Sequence, residues 1–268
     1  LDAWGVTPFY VAFQLFPLAC AAQYGPAFQA VALSPGTLPL PYVLTEAGQP
    51  VYLGATIQTA IGDDSFLAYS PTCPIVFAGV TYSTCWVCSN GMVTFNTPST
   101  DFTPTPPEFF NGFRTPGLGG QATPGVAVAW ADWARAGGVV DVVRMNENAV
   151  TGAVTVTYPN QQHWLSQLPG GTFSVVFQPN DDVILNCGYR AGGANAAGVD
   201  PTAIIGVTDG DDTVGLDTIV DFSAVLPHTS PIGAPESLME AYLAPTGAFF
   251  DVPVMTFRHL GGGRWLVF

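Results

Sequence analysis

The sequence has very few ionic side chains. Only 10% of its 268 residues are Asp, Glu, Lys or Arg, against about 25% in ordinary soluble domains. Lysine is absent, while hydrophobic residues make up 48% of the chain. A monomer in water normally covers its surface with charged side chains. We therefore expect much of this surface to be buried against other copies of the chain.

The shortage of basic residues excludes two classes of partner. Six arginines against 20 acidic residues give a net charge of −14 and a pI near 4.1. Nucleic acids and anionic membranes bind proteins through basic patches, and these arginines are scattered along the chain. Neither nucleic acid nor a membrane surface is expected as a partner.

The N-terminal segment lacks any charge from residue 3 to residue 45, yet it also lacks an unbroken membrane span. A spanning helix needs about 20 consecutive apolar residues. Pro17, Gln14 and Gln23 interrupt the most apolar stretch, residues 9–24. We interpret residues 1–50 as an apolar, proline-rich arm buried in a core or against a neighbour. The chain starts at Leu1 instead of Met, which predicts cleavage or missing residues before it.

Residues 51–225 show the pattern of an antiparallel β-sandwich of jelly-roll or immunoglobulin-like type. Short apolar or alternating runs are separated by Gly, Pro and Asn-Asp clusters. Asn90-Gly91 predicts a hairpin, because both residues tolerate the positive φ of a tight primed turn. Residues 226–268 are predicted to be a C-terminal extension, with a helix at 235–242 and two terminal strands joined by the glycines at 261–263. These strands either pair with the open sheet edge of a neighbouring subunit or complete the chain's own sandwich. The fold class is therefore all-β with extended N- and C-terminal segments.

Several motifs occur in the order found in a known family. Phe77-Ala78-Gly79, Tyr82, Ser89-Asn90-Gly91 and Phe95 resemble the F-x-G…Y…S-N-G…F core of nidogen-like extracellular domains. Later segments resemble further strands of that family: 126–132, 152–158, 172–177, 182–189 and 204–207.

The resemblance spans roughly residues 52–225. It departs from the family pattern at Cys85 and Cys88, where the family has small residues, and at Ala131, which precedes a single Asp132. It implies an extracellular adhesive or structural module, of the kind found in animal matrix proteins and exported bacterial surface proteins. It supplies no catalytic residues.

The five cysteines predict structural disulfides. Cys85 and Cys88 are three positions apart in a strand pattern, so their thiols point to opposite faces, about 10 Å apart along the chain. That geometry argues against a redox pair or a shared zinc ion. We predict disulfides among Cys73, Cys85, Cys88 and Cys187 in an oxidising compartment, with Cys20 left over.

Acidic clusters are the candidates for a cofactor, which would be calcium. Asp63-Asp64, Asp181-Asp182 and the loop containing Asp209, Asp211 and Asp212 could supply oxygen ligands, although Asp/Gly loops also simply make turns. The last loop is the preferred candidate. No other cofactor is expected. No G-x-S-x-G nucleophile motif occurs, so we do not expect an enzyme, and a secreted hydrolase is the least favoured alternative.

These observations predict a secreted or cell-surface structural protein. We expect a self-assembling subunit of a filament, sheath or surface layer, held to identical subunits by strand pairing and apolar contacts. The residues expected at these contacts are Phe9, Tyr10, Phe13, Phe16, Phe109, Phe110, Phe113, Trp265, Leu266, Val267 and Phe268. The main alternative is a secreted adhesin that binds glycan or matrix through the 97–125 loop, with or without calcium.

Overall fold

The structure is a computed structural model in which nearly all described residues belong to strands or the turns between them. The described residues are 42–44, 50–52, 56–114, 122–133, 141–148, 151–163, 169–186, 203–210, 218–230, 237–242 and 254–268. The all-β prediction is confirmed.

Two large sheets contain most of the strands, which are numbered here in chain order. The first sheet has eight strands, in the spatial order β16 (His228–Thr229), β19 (Arg264–Val267), β18 (Val254–Gly261), β13 (Asp182–Asn186), β12 (Pro169–Phe177), β11 (Val154–Gln162), β10 (Asp141–Glu147) and β3 (Thr56–Ile61). The second has seven, in the order β15 (Thr218–Ile219), β17 (Ser237–Tyr242), β14 (Ala203–Thr208), β9 (Gly125–Trp130), β8 (Met92–Thr94), β7 (Cys85–Cys88) and β4 (Phe66–Tyr69). Neighbouring strands are antiparallel except β15 and β17.

Two short hairpins complete the described strands. β1 (Tyr42–Leu44) pairs with β2 (Pro50–Tyr52), and β5 (Ile75–Phe77) pairs with β6 (Val80–Tyr82). The alternating pattern of residues 80–88 predicts a single strand. The chain instead breaks after β6 and enters the seven-stranded sheet as β7, so the two halves pair with different partners.

The main core lies between the two large sheets and follows from the alternation of side chains along each strand. One cross-strand row illustrates it: Met255, Leu185, Val175, Val156 and Met145 are successive Cα partners from β18 to β10. None of the five is more than 1% exposed. Each such side chain contributes about 1.5–3 kcal/mol by leaving water. The sandwich is therefore held by apolar rows that run across the sheet.

A second core lies on the outer face of the seven-stranded sheet. Helix α1 (Pro106–Phe110) begins after Thr105, whose hydroxyl accepts from the Glu108 amide, and its proline residues suit a first turn. Phe109 and Phe113 pack onto outward-facing residues of that sheet and are 0% and 5% exposed. The prediction that these two aromatics contact a partner is wrong, because α1 folds the long loop back onto the chain's own strands.

The C-terminal strands complete the same sandwich. Trp265 and Val267 are fully buried in the main core, and the Trp265 ring lies 5.5 Å from that of Phe77. Of the two expected arrangements, the tail completes the chain's own sandwich, and the expectation that Trp265 and Val267 contact other subunits is wrong. The predicted domain boundary at residue 225 is wrong as well, since β16 to β19 belong to the two large sheets. The hairpin at the glycines 261–263 is confirmed.

The segment predicted to be a helix at 235–242 forms strand β17 instead. Leu238 packs in the core between the sheets, whereas Met239 packs in the second core on the outer face. Burial on both faces outweighs the helix preference of Leu, Met and Glu. The sequence pattern of residues 218–224 also predicts a strand, but only Thr218–Ile219 form one, and a short helix, α2 (Phe222–Val225), follows.

Candidate functional site

The loop between β7 and β8 brings distant parts of the chain together. The Asn90 side chain is 1% exposed. Its Nδ2 donates to Asp64 Oδ1 at 2.9 Å and to the Asp101 carbonyl at 3.3 Å, and its Oδ1 accepts from the Trp133 amide at 3.1 Å. Ser89 is linked to Ser65 in both directions, since each donates its backbone amide to the other residue. Three loops are thus connected through Ser89 and Asn90.

Gly91 follows because no larger residue fits. Its φ is +78°, and a Cβ atom there would lie 2.5 Å from the Ala129 carbonyl oxygen. Asn90 does not share the positive φ, so the predicted hairpin is confirmed but the primed turn is not. Two successive positive φ angles occur instead at Ala78 and Gly79, between β5 and β6. Asn90 is present for its side-chain hydrogen bonds and not for its backbone freedom.

Three carboxylates converge beside this loop. Asp63 and Asp64 lie in the turn from β3 to β4, and Asp132 follows β9. One oxygen of each lies within 4.8 Å of the others, an arrangement that could hold a divalent cation. Calcium takes six to eight oxygen ligands, so these side chains would supply part of its shell and water or a partner would supply the rest. We call Asp63, Asp64 and Asp132 the acidic cluster.

Burial and neighbouring negative charge raise the pKa of two members of the acidic cluster. Burial, followed by the charges of Asp64 and Asp63, raises the pKa of Asp132 to about 6. Burial and the Asp64 charge also raise the pKa of Asp63. A bound cation would oppose both shifts, because it favours the charged carboxylates.

The sequence predicted a different calcium loop. Asp209 is partly buried after β14, while Asp211 and Asp212 lie outside the described residues, so that prediction stays a prediction. Asp63-Asp64 is visible in the sequence as an acidic pair. The addition of Asp132 depends on contacts to Asn90 from positions 26 residues before it and 43 residues after it. One signal in the sequence is that these three aspartates each come just after a strand-forming run, residues 56–61 for Asp63 and Asp64 and residues 125–130 for Asp132.

The other acidic pair, Asp181-Asp182, has structural partners. Asp182 accepts from Arg258 Nε at 2.8 Å and from Nη2 at 2.7 Å. Asp181 Oδ2 accepts from the Gly79 amide at 2.7 Å and lies 3.0 Å from His259 Nδ1. These bonds tie the turn between β12 and β13 to β18 and to the primed turn at Gly79.

The aromatic residues of the sequence motif also have a structural role. The Phe95 ring lies 4.8 Å from that of Phe77 and 4.6 Å from that of Tyr82, and both pairs are stacked. Phe177 and Trp265 join the same cluster. The F-x-G…Y…F pattern therefore encodes the packing of the small hairpin into the main core.

The cysteines of β7 are free thiols, so the prediction that both form disulfides is wrong. Cys85 faces the core between the sheets and Cys88 faces the second core, which confirms that they lie on opposite faces. Burial raises the pKa of Cys85 to about 12 and that of Cys88 to about 11. Both thiols are protonated at neutral pH and are poor nucleophiles. Cys73 is disulfide-bonded, and Cys20 and Cys187 lie outside the described residues.

At one end of the eight-stranded sheet, no described strand pairs with the outer side of β3. The apolar row that ends at Met145 continues to its Cα partner Ile57, and the exposed fraction rises from 1% to 52% in that single step. Cross-strand partners share a face, so Ile57 points into the space between the sheets and has no covering strand among the described residues. We call β3 with its half-covered Ile57 the open edge.

The remaining predicted contact residues have mixed positions. Phe110 and Leu266 are partly buried, and Phe268 is 46% exposed, with the Arg258 guanidinium 5.3 Å from its ring centre. Phe9, Tyr10, Phe13 and Phe16 lie outside the described residues. Phe66, on edge strand β4, is exposed and makes an edge-on contact with Trp86.

The fold and the Asn90 loop define the class of this protein: an antiparallel β-sandwich module whose motif residues organise loops and an aromatic core. Within that class, the chain belongs to the NIDO-related family, whose family model matches residues 42–232. No curated protein and no solved structure matches the chain. A nidogen-related domain indicates an extracellular kind of protein.

Among the described residues, no helix has the length and apolar character needed to cross a membrane. The longest described helix, α1, has five residues.

Proposed function

We propose that this chain is a secreted structural subunit that assembles with identical copies into a filament, sheath or surface layer by adding strands at the open edge. The observation that carries the proposal is the half-exposed, inward-facing Ile57 at the end of a buried apolar row. An added strand would extend that row by one more side chain. It would also pair with the outer backbone groups of β3.

The two edge strands at this end lack the usual protection against such pairing. Natural edges are commonly protected by charged residues, especially lysine, or by proline. Strands β3 (TIQTAI) and β4 (FLAY) contain neither, and the whole chain lacks lysine. The unprotected end supports assembly by strand pairing.

The test is the molar mass of the protein in solution as its concentration rises. Ile57→Lys places a charge where the incoming side chain would pack. We expect it to weaken self-association at least tenfold, which corresponds to about 1.4 kcal/mol. Val254→Lys is the matched control, because Val254 is 51% exposed but lies on the interior strand β18. A parent protein that stays monomeric at all concentrations would refute the proposal.

A second candidate function is calcium-dependent adhesion to glycan or matrix, and the acidic cluster favours it. Isothermal titration calorimetry with calcium chloride tests this function directly. We expect binding that Asp64→Asn abolishes and Asp209→Asn leaves unchanged. The reverse result would assign calcium to the loop after β14, and the absence of heat in the parent protein would argue against a calcium site.

A further inference from the structure

Since no described strand pairs with the open edge, the exposure of its residues indicates what kind of strand would fit there. Ile57 and Ile61 lie on the inward face of β3, yet Ile61 is 4% exposed and Ile57 is 52% exposed. The uncovered region is therefore local, at the start of β3. The strand that fits must have an apolar inward face and needs about six residues, roughly 20 Å, to match β3.

The N-terminal segment contains three proline-free runs of the right length. Prolines at positions 8, 17, 26 and 35 separate runs of eight residues, 9–16, 18–25 and 27–34. The second and third runs each contain three alanines, whereas the first, FYVAFQLF, is dominated by aromatic and branched residues. Aromatic and β-branched residues favour strands and alanine does not. Residues 9–16 are the best strand former of the three.

Alternation along this run gives the required inward face. Phe9, Val11, Phe13 and Leu15 share one face of a strand, and all four are apolar. The prolines at 8 and 17 would end the strand at each side, since proline has no amide to donate. The run also carries no charge, so it would not repel the chain's net charge of −14.

Resting on the proposed function, we propose that residues 9–16 of a second copy form the strand that pairs with the open edge, with Phe13 and its same-face neighbours covering Ile57. The 25 residues between Phe16 and Tyr42 can span up to about 80 Å when extended. That length allows the segment of one copy to reach β3 of another. A chain of such exchanges gives a polymer in which each subunit completes its neighbour.

Cross-linking of two variants, each with one added cysteine, tests this pairing. Phe13→Cys and Ile57→Cys, carrying tags of different mass, are mixed and treated with a short bis-maleimide. We expect a covalent heterodimer. A mixture of Phe13→Cys with Val254→Cys, and the parent protein with its native cysteines, should give only background product.

Two outcomes would overturn the inference. In a Phe13→Cys/Ile57→Cys double variant, cross-linking within one chain at high dilution, with no heterodimer in the mixture, would show that the segment covers its own edge. Assembly that Ile57→Lys weakens but that yields no cross-link to position 13 would assign the edge to another segment, while the proposed function stands. If the parent never associates, the proposed function fails first.

Charge substitutions provide an independent test that needs no cross-linker, with self-association as the measured quantity. Phe13→Asp places a charge on the inward face of the run and should weaken self-association at least tenfold. Val31→Asp makes the same kind of change in the third run and should have no effect on the mass distribution. Equal effects of the two variants would refute the assignment to residues 9–16. Far-ultraviolet circular dichroism confirms that each variant retains its sheet content.

Discussion

The two ends of the eight-stranded sheet differ in closure, although both carry apolar side chains. At one end β16 lies beside β19, and Trp265 and Val267 are fully buried. At the other end Ile57 faces the same core and remains half exposed. The difference is that β16 covers one end, whereas no strand in the described part of the chain covers the other. Hydrophobicity alone therefore does not identify an interface.

The two ends also differ in the partners of their acidic residues. Near the closed end, Asp182 pairs with Arg258 and Asp181 with His259. Beside the open end, Asp63, Asp64 and Asp132 lie close together, and burial followed by neighbouring negative charge raises the pKa of Asp63 and that of Asp132. Among the described residues, the open end thus combines half-exposed apolar surface with closely spaced negative charges. A second subunit and a cation are the two kinds of partner that would relieve these features.

The largest expected effect is at the closed end. Trp265→Ala removes a fully buried indole from the aromatic cluster, so we expect a loss of about 3–5 kcal/mol in the free energy of unfolding. Ile57→Ala should cost the isolated subunit less than about 1 kcal/mol, because half of that side chain is already in water. Urea denaturation at low protein concentration measures both. Similar costs for the two variants would mean that the open edge is covered within one chain.

How much of this contrast could be predicted depends on the range of the interactions. Alternation within single strands predicted the sandwich, because the inward and outward positions of strands such as β7 follow from local sequence. Which apolar residues meet each other did not follow. Strand β18 pairs with β13, more than 60 residues earlier in the chain, and that pairing is what buries Trp265 and Val267.

The candidate site shows the same limit. Asp63-Asp64 is recognisable as an acidic pair in the sequence, but Asp132 joins it only because Asn90 links the loops on both sides. The sequence likewise did not indicate where Phe109 and Phe113 pack. Their burial depends on α1 folding over the outer face of β8, β9 and β14, which leaves these strands covered on both faces.

A smaller effect is expected from the residue that attaches the closing strand. The Ser230 hydroxyl accepts from the Trp265 amide at 2.7 Å and lies 3.1 Å from the Trp265 carbonyl, to which it donates. Ser230→Ala removes both bonds in a buried position, and we expect a loss of about 1–3 kcal/mol. Thr229→Ala, at the exposed neighbouring position, serves as a control. Hydrogen exchange of the Trp265 amide should accelerate in the first variant and not in the second.

The smallest effect concerns the charge beside the open end. Because the folded-state pKa of Asp132 is raised to about 6, the folded protein holds this proton more tightly than the unfolded chain does. The contribution of Asp132 to the free energy of unfolding is therefore most favourable below about pH 4 and falls as the pH rises toward 6. Asp132 is partly exposed, so solvent screening limits the loss to about 1 kcal/mol or less.

Asp132→Asn should remove this dependence. Above pH 6 the variant should be more stable than the parent by about 1 kcal/mol or less, and near pH 3.5 the two should have equal unfolding free energies. Millimolar calcium should narrow the difference at pH 7 if the cation binds the acidic cluster, because it would stabilise the charged form in the parent alone. If the variant and the parent have the same unfolding free energy across the whole pH range, the charge of Asp132 does not destabilise the fold. The contrast in charge between the two ends would then have no energetic consequence.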